Sequence, residues 1–324
     1  MKIDIEELKK IYLIAYKIRK TEEKIADMYP QQEMRCPTHL SIGQELVPAI
    51  YSRFVNYNDY AVSTHRAHAH YLAKGGDLKA MIAEIYGKRT GCSHGMGGSM
   101  HLIDKSVGFM GSTAIVGGTI PIGVGLGLSI QIKNEERIST VFLGDGATEE
   151  GVFYESLNFA ALKSLPVIFI CENNLYSVYS KLEVRQPIGR KIYKLAEAIG
   201  IDSAHANGYD IEDTYLKLQK AIDFVKENKK PFFIELDTYR FREHCGPNFD
   251  NNLGYRELSE YQDFLKKDPL LKLKKNLEEN ISEKDILEEE NTINNEIEEA
   301  FIFAKNSSWP EYSDIDSYLY KVKE

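Results

Sequence analysis

Between Ile138 and Tyr176 the hydrophobic period changes from strand-like to helical and back, and no other stretch constrains the fold as much. Ile138 to Leu143 is a β-branched and apolar run that ends in Gly144-Asp145-Gly146, a turn that a residue with a side chain makes poorly. Ala147-Thr148-Glu149-Glu150 opens a helical pattern with Val152, Phe153, Ser156, Leu157, Ala160 and Ala161 on one face, and Leu165-Pro166 stops it. Val167 to Cys171 reads as a second apolar strand, ending in Glu172-Asn173-Asn174. The result is one βαβ unit. Its strands are parallel, so their carboxyl ends share one edge of the sheet and Asp145 stands beside Asn174.

That pairing suits a hard divalent cation holding a diphosphate. Asp145 offers a carboxylate oxygen, Asn174 an amide oxygen and Tyr176 a main-chain carbonyl. Phosphate oxygens and a water would complete the octahedron that Mg2+ demands. Gly144 and Gly146 let the backbone approach the phosphates, and the helix opening at Ala147 presents unpaired N–H groups. Alone, Asp-Gly is an ordinary turn and Asn-Asn a solvated loop. Joined across one whole crossover, they point to the cation.

Charge excludes one function class. With 40 Lys and Arg against 49 Asp and Glu, a net of −9, no basic stripe supports nucleic-acid binding. Cys36, Cys92, Cys171 and Cys245 form no C-x-x-C pair, which suits a reducing compartment. The first residues carry no signal or transit pattern, and no apolar run approaches a membrane span. A soluble, cytoplasmic protein is the expectation.

Along the rest of the chain, Asp4 caps a helix with Leu8, Ile11, Tyr12, Ala15, Ile18 and Ile25 at helical spacing up to Pro30. Its apolar face packs on a neighbouring subunit or on its own domain. A turn holding His39 feeds the next helix. Tyr60 to Thr64 is a strand with His65, Arg66, His68 and His70 at its end. Three histidines so close invite zinc, but no His-Glu-x-x-His motif or cysteine pair accompanies them, so zinc is set aside. Arg66 is placed to grip a phosphate with its planar fork. Asp77 to Tyr86 is a helix ended by Gly87, and Lys88 to Gly111 is a long glycine-rich loop. Gly123-x-Gly125 with Asp145 downstream imitates a dinucleotide fingerprint, but Leu128 stands where a glycine is needed and no clean strand precedes it. A glycine-bearing helix in close contact with a neighbour accounts for it better. Lys181 to Arg190 is irregular and polar. Lys194 to Ile199 is helical, Ser203 to Asp210 a strand with a turn, and Thr214 to Asn228 an amphipathic helix. Pro231 to Leu236 is the last core strand and delivers His244 to the edge that holds Asp145. Ser282 and Asp285 cap a final helix with Ile286, Ile293, Ile297, Ala300 and Ala304 on one face.

Gly144-Asp145-Gly146 followed by Asn173-Asn174 resembles the thiamine diphosphate signature. The wider text, GDGATEEGVFYESLNFAALKSLPVIFICENNLYS, resembles the alpha subunit of the thiamine-dependent dehydrogenase components of the pyruvate, branched-chain 2-oxo acid and acetoin dehydrogenase complexes. The likeness runs roughly from His39 to Arg256. It implies an α/β fold with a mostly parallel sheet, helices on both faces and helical extensions at both ends. The expected division is an N-terminal extension at 1–30, the diphosphate-binding domain at 31–256 and a C-terminal extension at 257–324, packed on the same domain.

The resemblance also assigns roles. His39 would face the cofactor's reactive ring, and His244 would reach its phosphates and the reacting acyl group; these two are the catalytic candidates. The cofactor would lie against His65, Arg66, the backbone at Ala114 and Val116, Gly144, Asp145, Gly146, Ala147, Asn174 and Tyr176, with Mg2+ on Asp145, Asn174 and Tyr176. Pyruvate-type members carry Tyr-Arg where this chain has His65-Arg66, as acetoin-type members do. The regulated mitochondrial members carry a phosphorylatable serine where Cys245 stands, so kinase control there is not expected. The family's activating glutamate belongs to a separate beta subunit, which implies an alpha2-beta2 heterotetramer whose acceptor is the lipoyl group of an acyltransferase. Two other classes stand beside this reading: a thiamine carboligase passing the aldehyde unit to another acceptor such as a keto sugar, and a non-catalytic scaffold.

Overall fold

The computed structural model describes residues 3–34 and 36–314, so the outer ends of both expected extensions lie outside the described residues. The strands are β1 (Tyr60–Ser63), β2 (Phe109–Ser112), β3 (Ser139–Gly144), β4 (Val167–Asn173), β5 (Tyr176–Ser177), β6 (Ser180–Lys181), β7 (Asp202–Ala206) and β8 (Phe232–Asp237). β5 and β6 form a small antiparallel hairpin; the others make one parallel sheet of order β2-β1-β3-β4-β8-β7. The helices are α1 (Ile5–Met28), α2 (Leu46–Tyr51), α3 (His68–Ala73), α4 (Leu78–Ile85), α5 (Thr119–Lys133), α6 (Gly151–Lys163), α7 (Leu182–Arg185), α8 (Ile192–Ile199), α9 (Ile211–Asn228), α10 (Leu258–Leu265), α11 (Pro269–Glu278) and α12 (Glu283–Asn306).

The central strands carry apolar residues toward both sides because both faces of the sheet are covered. Phe142, Ile168, Ile170, Ile234 and Leu236 point into a core shared with α1, α4, α9 and α12. Val141, Leu143, Val167, Phe169 and Phe233 alternate with them and point into a second core, shared with α5, α6 and α8. The expected face of α6 is borne out where it matters, with Phe153, Ser156, Leu157 and Ala160 buried. β3 and β4 pair from Ser139 and Val167 to Gly144 and Glu172, so Asp145 and Asn174 leave the sheet together on one edge. From β1 the chain steps outward to β2 and then crosses back to β3. This reversal opens a crevice at the carboxyl ends of β1 and β3, where ligands bind in open α/β sheets.

The glycines of α5 do what close packing requires. A Cβ on Gly123 would lie 2.3 Å from a Val141 methyl, and one on Gly127 2.4 Å from a Val167 methyl. Gly125 faces away, with nothing within 4 Å. The face of α1 is buried against its own chain, on α2, α3, α11 and α12. α12 lies on α4 and α1 with Ile286, Ile297, Ala300 and Ala304 buried, and the Ser282 side chain caps it by accepting from the Asp285 N–H.

Several local expectations need correcting. Residues 145–149 form a 3-10 turn and Glu150 is extended, so α6 begins at Gly151 and not at Ala147. The helix N–H groups expected beside Ala147 are therefore a turn further on. Gly144 has φ −93°, open to any residue. Gly146 is held to glycine by crowding, since a Cβ there would meet the Ser177 hydroxyl at 2.8 Å. Asp4 occupies the N-cap of α1 without a side-chain capping bond. The Gly111 region contains strand β2, hidden by its glycine, and the segment read as irregular from Lys181 holds β6 and α7. The long loop is ordered by Glu84, fully buried, whose carboxylate accepts N–H groups from Ser93, Gly95, Gly97 and Gly98 at 2.7–3.0 Å.

Candidate active site

The tips of β1, β3 and β4 and the loop after β8 enclose one cavity. Its walls include Gln44, His65, Arg66, Val116, Asp145, Asn174, Tyr176 and His244. Gly144, Gly146 and Ala147 contribute backbone to it. Ala114 and His39 are not wall residues. His39 lies directly behind, its ring 4.6 Å from His65 and 5.1 Å from His244, and the Ala114 N–H points to His101 Nε2 at 3.4 Å.

The two asparagines at the tip of β4 have different duties. Asn173 turns back into the fold, donating to Glu235 at 2.8 Å and accepting from the Leu175 N–H. Asn174 faces the cavity, its amide oriented by a bond from the Tyr176 N–H at 3.1 Å and by one to Gln44 at 3.2 Å. Asp145 is buried, which pushes its carboxyl pKa up, while the Arg185 guanidinium and the Asn174 backbone N–H pull it down. The Tyr176 phenol points away to Glu260 at 2.6 Å, leaving only its main chain for the cavity edge. A carboxylate, an amide oxygen and a backbone carbonyl are hard donors, matched to Mg2+ or another oxygen-seeking cation.

Arg66 is almost fully buried, and two of its five N–H groups are engaged by main-chain carbonyls. One terminal nitrogen donates to the Leu40 carbonyl at 2.6 Å and the other to the His244 carbonyl at 3.1 Å. Burial and the neighbouring Arg240 lower its pKa to about 10. Around it stand His39, His65 and His244, with ligand atoms within 4.8 Å of one another. Burial first, and Arg66 next, depress their pKa values to about 2, 4 and 3, so all three are neutral near pH 7. His39 Nδ1 is buried and has no hydrogen-bond partner. A guanidinium among neutral imidazoles is a setting for an anion, because a cation entering there would meet Arg66. The three histidines close in sequence do not converge: His68 pairs with Glu22 and Ser99, and His70 with Ser63 and Glu172.

Hard oxygen donors thus adjoin a buried guanidinium and three neutral imidazoles at the switch point of a parallel sheet. A profile of the family described as Dehydrogenase E1 component matches residues 15–313. The chain belongs to the dehydrogenase E1 component family. It is an alpha subunit by its relatives. It is 36% identical over 319 residues to the pyruvate dehydrogenase E1 component subunit alpha of Rickettsia bellii (strain RML369-C), covering 97% of each chain. The protein of the same description from Porphyra purpurea is 33% identical over 311 residues, covering 93% of this chain and 89% of its own. The chloroplastic subunit alpha-3 of Arabidopsis thaliana is 34% identical over 305 residues, 92% of this chain and 70% of its own. Among the described residues, no helix of this E1 alpha subunit is long and apolar enough to cross a membrane.

Sequence reasoning missed Gln44, Glu172 and Arg185. Gln44 and Glu172 line the cavity; Arg185 is ion-paired to Asp145 and Glu149. No local signal distinguishes a glutamine before a helix or an arginine in a polar loop from solvated residues. Only the fold turns them inward.

Proposed function

We propose that this E1 alpha subunit works with thiamine diphosphate and Mg2+ to cleave a pyruvate-like 2-oxo acid or acetoin, and that the acyl unit passes to a lipoyl acceptor on an acyltransferase. The observation that carries the reading is the convergence of Asp145 and Asn174 with Arg66, His65 and His244 on one cavity. Asp145, Asn174 and the Tyr176 carbonyl would hold Mg2+. Arg66 and His244 would face the diphosphate, and the backbone at Gly146, Ala147 and Val116 would lie along the cofactor. When bound, thiamine diphosphate supplies the carbanion that makes a C–C bond beside a carbonyl breakable.

The residues of the chain would bind, orient and exchange protons around it. His39, buried, and His244, partly buried on the cavity wall, are both neutral and suited to donate an N–H to a developing oxyanion or to take a proton from a hydroxyl. Activation of the cofactor needs a further carboxylate. The cavity-lining carboxylates among the described residues are Asp145, assigned to the cation, and Glu172, bonded to His70 at 3.0 Å. A beta subunit would supply the missing one, in an alpha2-beta2 heterotetramer. The relatives' names favour pyruvate as substrate, and His65 keeps acetoin beside it. The free cysteines suit the cytoplasm.

Calorimetric titration of thiamine diphosphate and Mg2+ into the complex reconstituted with its beta subunit tests the site. Asp145→Ala should abolish Mg2+-dependent binding. Affinity equal to the unsubstituted complex would remove the ligand assignment.

A further inference from the structure

We infer that Arg185 is a positioning residue that braces the cation seat, fixing the Asp145 carboxylate against the hairpin that carries Tyr176. The inference rests on the function proposed above and assigns a task to a residue outside the cavity wall. Arg185 ends α7 and its side chain is only 11% exposed. One terminal nitrogen bonds the Asp145 carboxylate and the other the Glu149 carboxylate, so one planar fork spans the two ends of the 3-10 turn at 145–149. Its Nε donates to the Ser180 carbonyl at 3.2 Å, in the hairpin that Tyr176 begins. Gln186 repeats the tie, donating to the Thr148 hydroxyl and the Glu149 carboxylate, both at 3.2 Å.

Asp145, Ser177 and Val178 line the cavity, whereas Arg185 does not. The guanidinium bonds one oxygen of the carboxylate, Oδ2, from a residue outside the cavity lining. Gly146 makes room for this arrangement, since a Cβ there would lie 2.8 Å from the Ser177 hydroxyl and 3.8 Å from an Arg185 nitrogen. Outer groups that orient a metal-binding carboxylate are worth about 10–100-fold in metal affinity. A lysine ammonium, a single point charge, reaches one carboxylate well and not two.

Mn2+ binding followed by electron paramagnetic resonance on the complex reconstituted with its beta subunit, with inorganic pyrophosphate as the diphosphate probe, tests this in the unsubstituted protein, Arg185→Met, Arg185→Lys and Glu149→Gln. Arg185→Met should weaken Mn2+ binding by about 10–100-fold, Arg185→Lys should recover part of the loss, and Glu149→Gln should give a smaller loss with unfolding of the metal-free chain unchanged. Unchanged or tighter binding by a folded Arg185→Met chain overturns the brace and leaves the site reading standing. Should Arg185→Met not fold, Glu149→Gln decides in its place, and unchanged affinity there overturns the brace. Failure of the unsubstituted complex to bind Mn2+ with pyrophosphate overturns the site reading, and the brace with it.

Discussion

The Arg66 guanidinium donates an N–H to the main-chain oxygen of His244 across 3.1 Å, tying the end of β1 to the loop that follows β8. The same fork holds the Leu40 carbonyl at 2.6 Å. Three segments distant in sequence are thereby fixed around one buried positive charge, and the histidines they carry face one another.

Arg66→Met removes that charge and leaves two carbonyls unpaired. A stability loss of about 1–3 kcal/mol per unsatisfied buried group follows, together with loss of pyrophosphate binding. Arg66→Lys keeps the charge and one of the two bonds, so it should fall between. Urea unfolding and a pyrophosphate titration measure both effects; a Met variant matching the parent in each would show that Arg66 neither ties the loop nor serves the anion.

The histidines make stability depend on pH with a definite sign. Their folded pKa values, about 2, 4 and 3 for His39, His65 and His244, lie below the ordinary imidazole value. Between about pH 6.5 and pH 4 the unfolded chain therefore binds more protons than the folded one, and stability falls as pH falls. Above about pH 6.5 the contribution is complete. His65→Asn should reduce the pH slope of the unfolding free energy in that window by about one proton. An unaltered slope in denaturant titrations at pH 6.5, 5.5 and 4.5 would contradict the burial of an uncharged His65.

Gly123→Ala places a methyl 2.3 Å from Val141 and 2.9 Å from Val62, at the crossing of α5 over β1 and β3. Relief requires backbone movement, at a cost of about 1–3 kcal/mol. Gly125→Ala, at a position with open space, should be neutral or slightly stabilising, because alanine favours a helix interior. Thermal unfolding of the two variants measures the contrast, and equal midpoints would mean that α5 does not seat as closely as its glycines require.

Much of this E1 alpha subunit was determined by the sequence alone. The βαβ unit from β3 to β4 was legible because a buried parallel strand must be a continuous apolar run and a crossover helix must alternate its faces. Once both strands are parallel, Asp145 and Asn174 have to emerge on one edge. The glycines of α5 announced close packing, and the Ser282 cap announced α12. Tertiary structure alone decided which histidines meet. His65, His68 and His70 are neighbours in the chain but point to different partners, whereas His39, His65 and His244 come from separate segments and converge. It also turned the fork of Arg66 toward carbonyls and drew Arg185 from a polar loop onto Asp145. The physical reason is range: hydrophobic period and turn chemistry act within a few residues of sequence, while the partner of a buried charge is chosen by whatever the folded chain brings within hydrogen-bond distance.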